Sequence, residues 1–110
     1  AARRAGEGQA ALNAYVTELV DGVAEHRAYI DELLGSYSMG WTLDRMPAVD
    51  RAILRLGSFE LLWREDIPDA VAISEAVALA QELSTDESAS FVNGLLGRLA
   101  ELKPRLSLGS

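Results

Sequence analysis

With 110 residues, 49% of them hydrophobic, the chain has the size of one domain, which buries roughly two-thirds of its unfolded surface. The 10 basic and 17 acidic residues give a formal net charge of -7, which excludes a purely electrostatic binder of nucleic acid or of an anionic membrane, so any RNA contact has to be local. Cysteine is absent, which removes disulfides and thiolate zinc sites, and there is neither a signal segment nor an apolar run of about 18 residues; the chain reads as soluble and cytoplasmic.

Residues 1–8 are small, polar or charged, with Arg3 and Arg4 adjacent and Gly6 and Gly8 behind them, and they read as a flexible arm. From Gln9 to Tyr37 apolar residues recur at steps of three and four (Leu12, Tyr15, Leu19, Val23, Ile30, Leu33, Leu34), the mark of one long amphipathic helix. Gly22 and His26 interrupt its stripe but not its phase. Gly35, Ser36, Ser38 and Gly40 then loosen the chain, Trp41 is expected to anchor the loop, Asp44 offers a cap, and Pro47 suits the first turn of the next helix. That helix, about Ala48 to Trp63, is apolar on most of its circumference, which belongs in the middle of a bundle. A third helix begins at Pro68 or Asp69 and runs to about Leu83. Ser84-Thr85-Asp86-Glu87-Ser88 is a turn rich in capping oxygens, and the fourth helix carries Phe91, Val92, Leu95, Leu96, Leu99 and Leu102 until Lys103-Pro104 stops it. With no period-two alternation the class is all-α, a helical domain over residues 9–103 with a tail at 104–110.

Arg55 and Glu75 each stand among aliphatic residues on helices expected to be central. A lone buried charge costs several kcal/mol, so the two are expected to form a structural ion pair across the interface. In Phe91-Val92-Asn93-Gly94-Leu95-Leu96 an amide and a glycine sit inside a strongly apolar helix, where neither serves helix propensity, and they suggest a contact surface. Two readings of this region stand side by side. In one, Phe91 fills the core and Asn93 satisfies a neighbouring backbone group. In the other, hydroxyls and N–H groups at the helix start hold phosphates while Phe91 stacks on an unpaired base, with Asp86 and Glu87 acting against affinity. Gly94 and Gly97 leave one side of the fourth helix small enough for close approach by another helix. His26, the sole histidine, reads as a surface residue, and no metal site, catalytic triad, phosphate loop or nucleophile elbow is recognisable.

The blocks Asp50 to Glu60, Ile67 to Leu83 and Ser88 to Gly97 resemble the C-terminal helical half of the NusB family of bacterial antitermination factors. Trp41-Thr42-Leu43-Asp44-Arg45 and Ser84-Thr85-Asp86-Glu87-Ser88 are similar to its actinobacterial members. The resemblance spans about Tyr15 to Lys103. It implies a helical bundle of the NusB type, without a cofactor, that binds the boxA RNA of ribosomal-RNA leader transcripts together with the ribosomal protein NusE and helps form the antitermination complex of RNA polymerase. It also implies that Asp50 lies on the NusE-binding surface and that Glu87, Ser88, Ser90, Phe91 and Asn93 border RNA. Family members start with an arginine-rich arm and a further helix pair, so the chain is expected to be a fragment or an incomplete chain and to associate, as a homodimer or with the missing segment, through apolar surface left on the second helix. The alternatives are the NusB-like domain that precedes an rRNA cytosine methyltransferase and a protein-only helical adaptor. A small all-α enzyme of the chorismate mutase type is disfavoured because Arg51, Arg55 and Arg64 do not converge.

Overall fold

The helix that is apolar on most sides is the one at the centre. The computed structural model describes residues 2–38 and 40–106, with side chains from residue 14 onward in that range. In chain order it contains α1 (Ala2–Tyr37), a 3-10 turn at Leu43–Arg45, α2 (Ala48–Trp63), α3 (Asp69–Leu83), α4 (Asp86–Leu102) and a second 3-10 turn at Lys103–Arg105. No strand occurs among the described residues. The backbone of residues 2–8, expected as a flexible arm, continues α1; alanines at positions 2, 5, 10 and 11 favour the helix enough to outweigh Gly6 and Gly8. The tail begins as the second 3-10 turn, and Ala1 and residues 107–110 lie outside the described residues.

Each helix start has a local cause. Pro47 and Pro68 occupy the position just before α2 and α3, one residue earlier than the first-turn position expected for Pro47. Their fixed φ of -55° and -60° leads the chain into the first turn. Asp44 lies inside the 3-10 turn and does not cap α2. At α4 the cap is Thr85, whose Oγ1 accepts from the Ser88 amide at 3.0 Å.

α2 buries Ile53, Leu54, Phe59, Leu61 and Leu62 against the other three helices. α1 contributes Ile30, Leu33 and Leu34, and α4 contributes Val92, Leu95, Leu96 and Leu99. From α3 only Ala72, Ala76 and Ala80 are fully inside, a small-residue stripe at steps of four that lets α3 lie close to its neighbours. The three helices meet at Gly57, where a β-carbon would stand 2.8 Å from Leu96 Cδ1 and 3.3 Å from the Ala76 Cβ. α2 is thus covered within this chain, contrary to the expectation that it leaves a large apolar face. Among the described residues the exposed large aliphatics are Val16 and Val20 on α1 and Val71, Leu79 and Leu83 on α3.

Along the α1–α2 interface the Phe59 ring lies over Gly22, at 2.1 Å from where a β-carbon would be. Gly22→Ala gains up to about 1 kcal/mol of helix propensity but drives a methyl into a buried, stiff ring. The net expected loss is about 1–2 kcal/mol of stability in urea unfolding; a stabilised variant would show that α1 slides freely over Phe59.

The charged residues pair differently from the sequence expectation. Arg55 does not pair with Glu75; its guanidinium grips Asp31 on α1 through Nε at 2.9 Å and Nη2 at 3.0 Å. The reason is helical phase. Arg55 precedes Phe59 by four residues and shares its α1-facing side, whereas Glu75 is exposed on α3 beside a hollow that includes Tyr15 and Arg64. A second fastening lies one turn beyond Phe59. Arg64 binds Glu18 at 2.6 Å and Asp66 at 3.1 Å and stands 5.4 Å over the Tyr15 ring. The Tyr15 hydroxyl in turn donates to the buried Glu60 carboxylate. Burial, then this hydrogen bond, raises the Tyr15 hydroxyl above its ordinary ionisation range, and the hydrogen bond from Arg64 holds the Asp66 carboxyl below its own. His26 is half-buried, stacked on Trp63 at 4.1 Å and 13°, so it is a packing residue of this interface and not a free surface side chain.

Candidate functional site

The turn from α3 into α4 folds around one hydroxyl. Ser88 Oγ accepts from Ser84 Oγ at 3.1 Å and from Thr85 Oγ1 at 3.0 Å, and it donates its single proton to Asp50 Oδ2 at 2.9 Å. Asp50, in the first turn of α2, is wholly buried, and its Oδ1 has no partner. That burial overturns the expectation that the Asp50 side chain lies on a protein-docking surface. Its place three residues after the Pro47 cap turns it inward, onto α4.

Above this cluster opens a cleft of about 560 Å3, walled by Trp41, Pro47, Ser84, Thr85, Glu87 and Phe91, with Ser88 at its floor. The loop after α1 builds one wall. Gly40 takes φ +83°, a left-handed turn that a side chain disfavours. Ser38 Oγ then donates to the Trp41 carbonyl, and Arg51 Nη1 donates to the Leu43 carbonyl at 3.0 Å. Trp41 anchors the loop as expected, its ring edge-on to Phe91 with centroids 5.0 Å apart at 80°. Phe91 is half-buried, so it neither disappears into the core nor projects freely.

Phe91 also borders a smaller hollow of about 230 Å3 with Tyr37, Ser90, Gly94 and Arg98. Arg98 lies seven residues after Phe91, on the same face two turns on, and its guanidinium is 5.9 Å from the Tyr37 ring centroid. Four of the five residues expected to border RNA are therefore adjacent: Glu87, Ser88 and Phe91 around the cleft, and Ser90 beside it. Asn93 is not with them. It sits about 160° round α4 from Phe91 and is exposed beside Ile73, Ser74 and Gln81 of α3, so it needs no core partner. Ser88 is buried and its hydroxyl is fully committed, which makes it a floor and not a free contact. Sequence reasoning missed Tyr37 and Arg98; the spacing of seven from Phe91 is the signal that finds Arg98. Gly94 and Gly97 face open space, where a closely packed neighbour was expected.

The cleft rim is acidic and rich in acceptors. Asp86 and Glu87 are exposed in the first turn of α4, where they favour the helix dipole and repel a phosphate. The cation on the Phe91 side is Arg98. Among the described residues no group of three or more His, Cys, Asp or Glu side chains could hold a metal ion, and no helix is long and apolar enough to cross a membrane.

The fold and cleft define a small all-α helical-bundle protein in which a mostly apolar helix is packed by three others, with an open cleft bearing Trp41 and Phe91 at the start of the last one. The NusB family model matches residues 2–101, and the chain belongs to the NusB family. Similar proteins include the transcription antitermination protein NusB of Arthrobacter sp. (strain FB24), 65% identical over 86% of this chain and 70% of that protein. The protein of the same name from Thermobifida fusca (strain YX) is 63% identical over 96% of this chain and 75% of its own length. Among solved structures, T. maritima NusB superposes with a TM-score of 0.72 at 39% identity, covering 81% of this chain and 66% of that one. The chain thus spans about two-thirds to three-quarters of the length of these relatives.

Proposed function

We propose that this chain is the RNA-facing part of a transcription antitermination factor, which takes an unpaired boxA-type strand at the α4 cleft together with the ribosomal protein NusE. The observation that carries the reading is the pair Trp41 and Phe91 at the mouth of an open cleft, in a chain of this family. Aromatic faces suit splayed bases, and Arg98 next to Phe91 suits the backbone. With a net charge of -7, affinity comes from stacking and a few local contacts, so its salt dependence is shallow.

The test is a titration of a fluorescent boxA-type single strand at two salt concentrations, with and without NusE. Phe91→Ala should weaken binding about tenfold, the worth of one stacked base. Glu87→Lys should tighten it at low salt, with the gain shrinking at high salt, because it replaces a repelling carboxylate by a cation. Affinities that ignore both substitutions would place the RNA elsewhere.

A further inference from the structure

The Asp50 carboxylate is buried completely, yet half of it has no hydrogen-bond partner. Stability does not account for this, because a half-satisfied buried polar group costs more than a well-packed apolar one. What the carboxylate does is set direction. Ser88 has one proton, and Asp50 takes it, so the two remaining lone pairs of Ser88 draw in the protons of Ser84 and Thr85. Thr85 Oγ1 is further engaged as acceptor of the Ser88 amide. The hydroxyl protons at the cleft edge therefore all point inward, and the Ser84 oxygen is left with lone pairs only for anything that enters.

We infer that Asp50 is a positioning residue of the cleft: through Ser88 it fixes the α4 start against the Pro47 end of α2 and turns the hydroxyl edge, the Ser84 oxygen foremost, into an acceptor. This rests on the RNA reading above and sharpens it. An acceptor edge meets the hydrogen-bond donors of a nucleotide, a base amino group or a ribose hydroxyl, and rejects phosphate oxygens, which have no proton to offer. The phosphates are left to the Arg98 side of Phe91.

The experiment reads the cleft directly and then its ligand. In a Trp63→Phe background Trp41 is the sole tryptophan, so acrylamide quenching of its emission reports how the wall is held. Ser88→Ala strands Asp50 and is expected to destabilise; the pair Asp50→Leu with Ser88→Ala removes the whole network and fills it with apolar atoms. That pair should keep the melting temperature of the parent or raise it, while the Trp41 quenching constant rises at least twofold and affinity for a boxA-type strand drops about tenfold. Asp50→Asn alone, with Ser88 intact, keeps an acceptor for the Ser88 hydroxyl and should leave both near their parent values. A folded double variant with unchanged Trp41 quenching overturns the inference whether or not the parent binds RNA. Loss of melting temperature in step with affinity in the double variant, with parallel losses in Asp50→Asn, also overturns it, since that is a structural role. A parent chain that binds no strand defeats the RNA reading, and the quenching comparison still decides the positioning. Where RNA binds, a ribo strand preferred over its deoxy counterpart by the parent but not by the double variant assigns the donor to the ribose, and loss of equal size for both strands assigns it to the base.

Discussion

Leu96→Ala should lower the free energy of unfolding by about 3 kcal/mol, within the range for fully buried leucines whose surroundings cannot collapse. Leu96 is 0% exposed and its Cδ1 occupies the space that Gly57 leaves open at the junction of α2, α3 and α4. Gly57→Ala alone is also expected to destabilise, because its methyl would meet that Cδ1 at 2.8 Å. The two together should do better than their sum: the alanine methyl at position 57 fills part of the hole that truncating Leu96 creates, and it adds helix propensity in α2. Urea unfolding of the four proteins gives the coupling directly. Strictly additive losses would mean that the two sites do not share one space.

Removing Arg55 is the second large effect. Its bidentate hold on Asp31 is only partly hydrated, with side-chain exposures of 19% and 28%, so breaking it leaves a carboxylate poorly solvated in the α1–α2 interface. Full burial would cost about 3–5 kcal/mol; partial exposure reduces the expectation to about 2 kcal/mol for Arg55→Met. Arg27, 61% exposed and 3.7 Å from Asp31, compensates part of the loss at low salt. Replacing both partners by Met and Leu should recover most of the stability, and the same cycle with Glu75→Ala should show no coupling to Arg55. Coupling of Arg55 to Glu75 in place of Asp31 would contradict the packing of α1 on α2.

The helices were legible because their apolar residues recur at helical steps and because prolines and hydroxyls mark their starts; α2 and α3 begin and end within a residue of expectation. The central place of α2 followed from its apolar circumference, but its cover by α1, α3 and α4 without a large apolar face left open did not. Pairing was harder. Arg55 and Glu75 share a kind of neighbourhood in the sequence, but which side of a helix meets which partner is decided by Phe59 lying on Gly22, a tertiary contact with no local mark. The cleft was half legible: the turn at Ser84 to Ser88 and Phe91 drew notice by composition, and Arg98 could have been found from its spacing of seven from Phe91, whereas Trp41 and Tyr37 join the site only once the loop after α1 is folded back. Asn93 misled because an amide within an apolar run looks buried, although α4 is apolar on one side only.

The order of packing also has a consequence for synthesis. α1 lies on α2, α2 on α3 and α3 on α4, so each hairpin can close as soon as its second helix has left the ribosome. The exception is the packing of α2 on α4, where Gly57 meets Leu96 and Asp50 meets Ser88 of the last helix. Until α4 emerges, the nascent chain displays the most apolar side of α2 with its keystone absent, and this interval, not the finished bundle, is when chaperones or premature self-association compete for it.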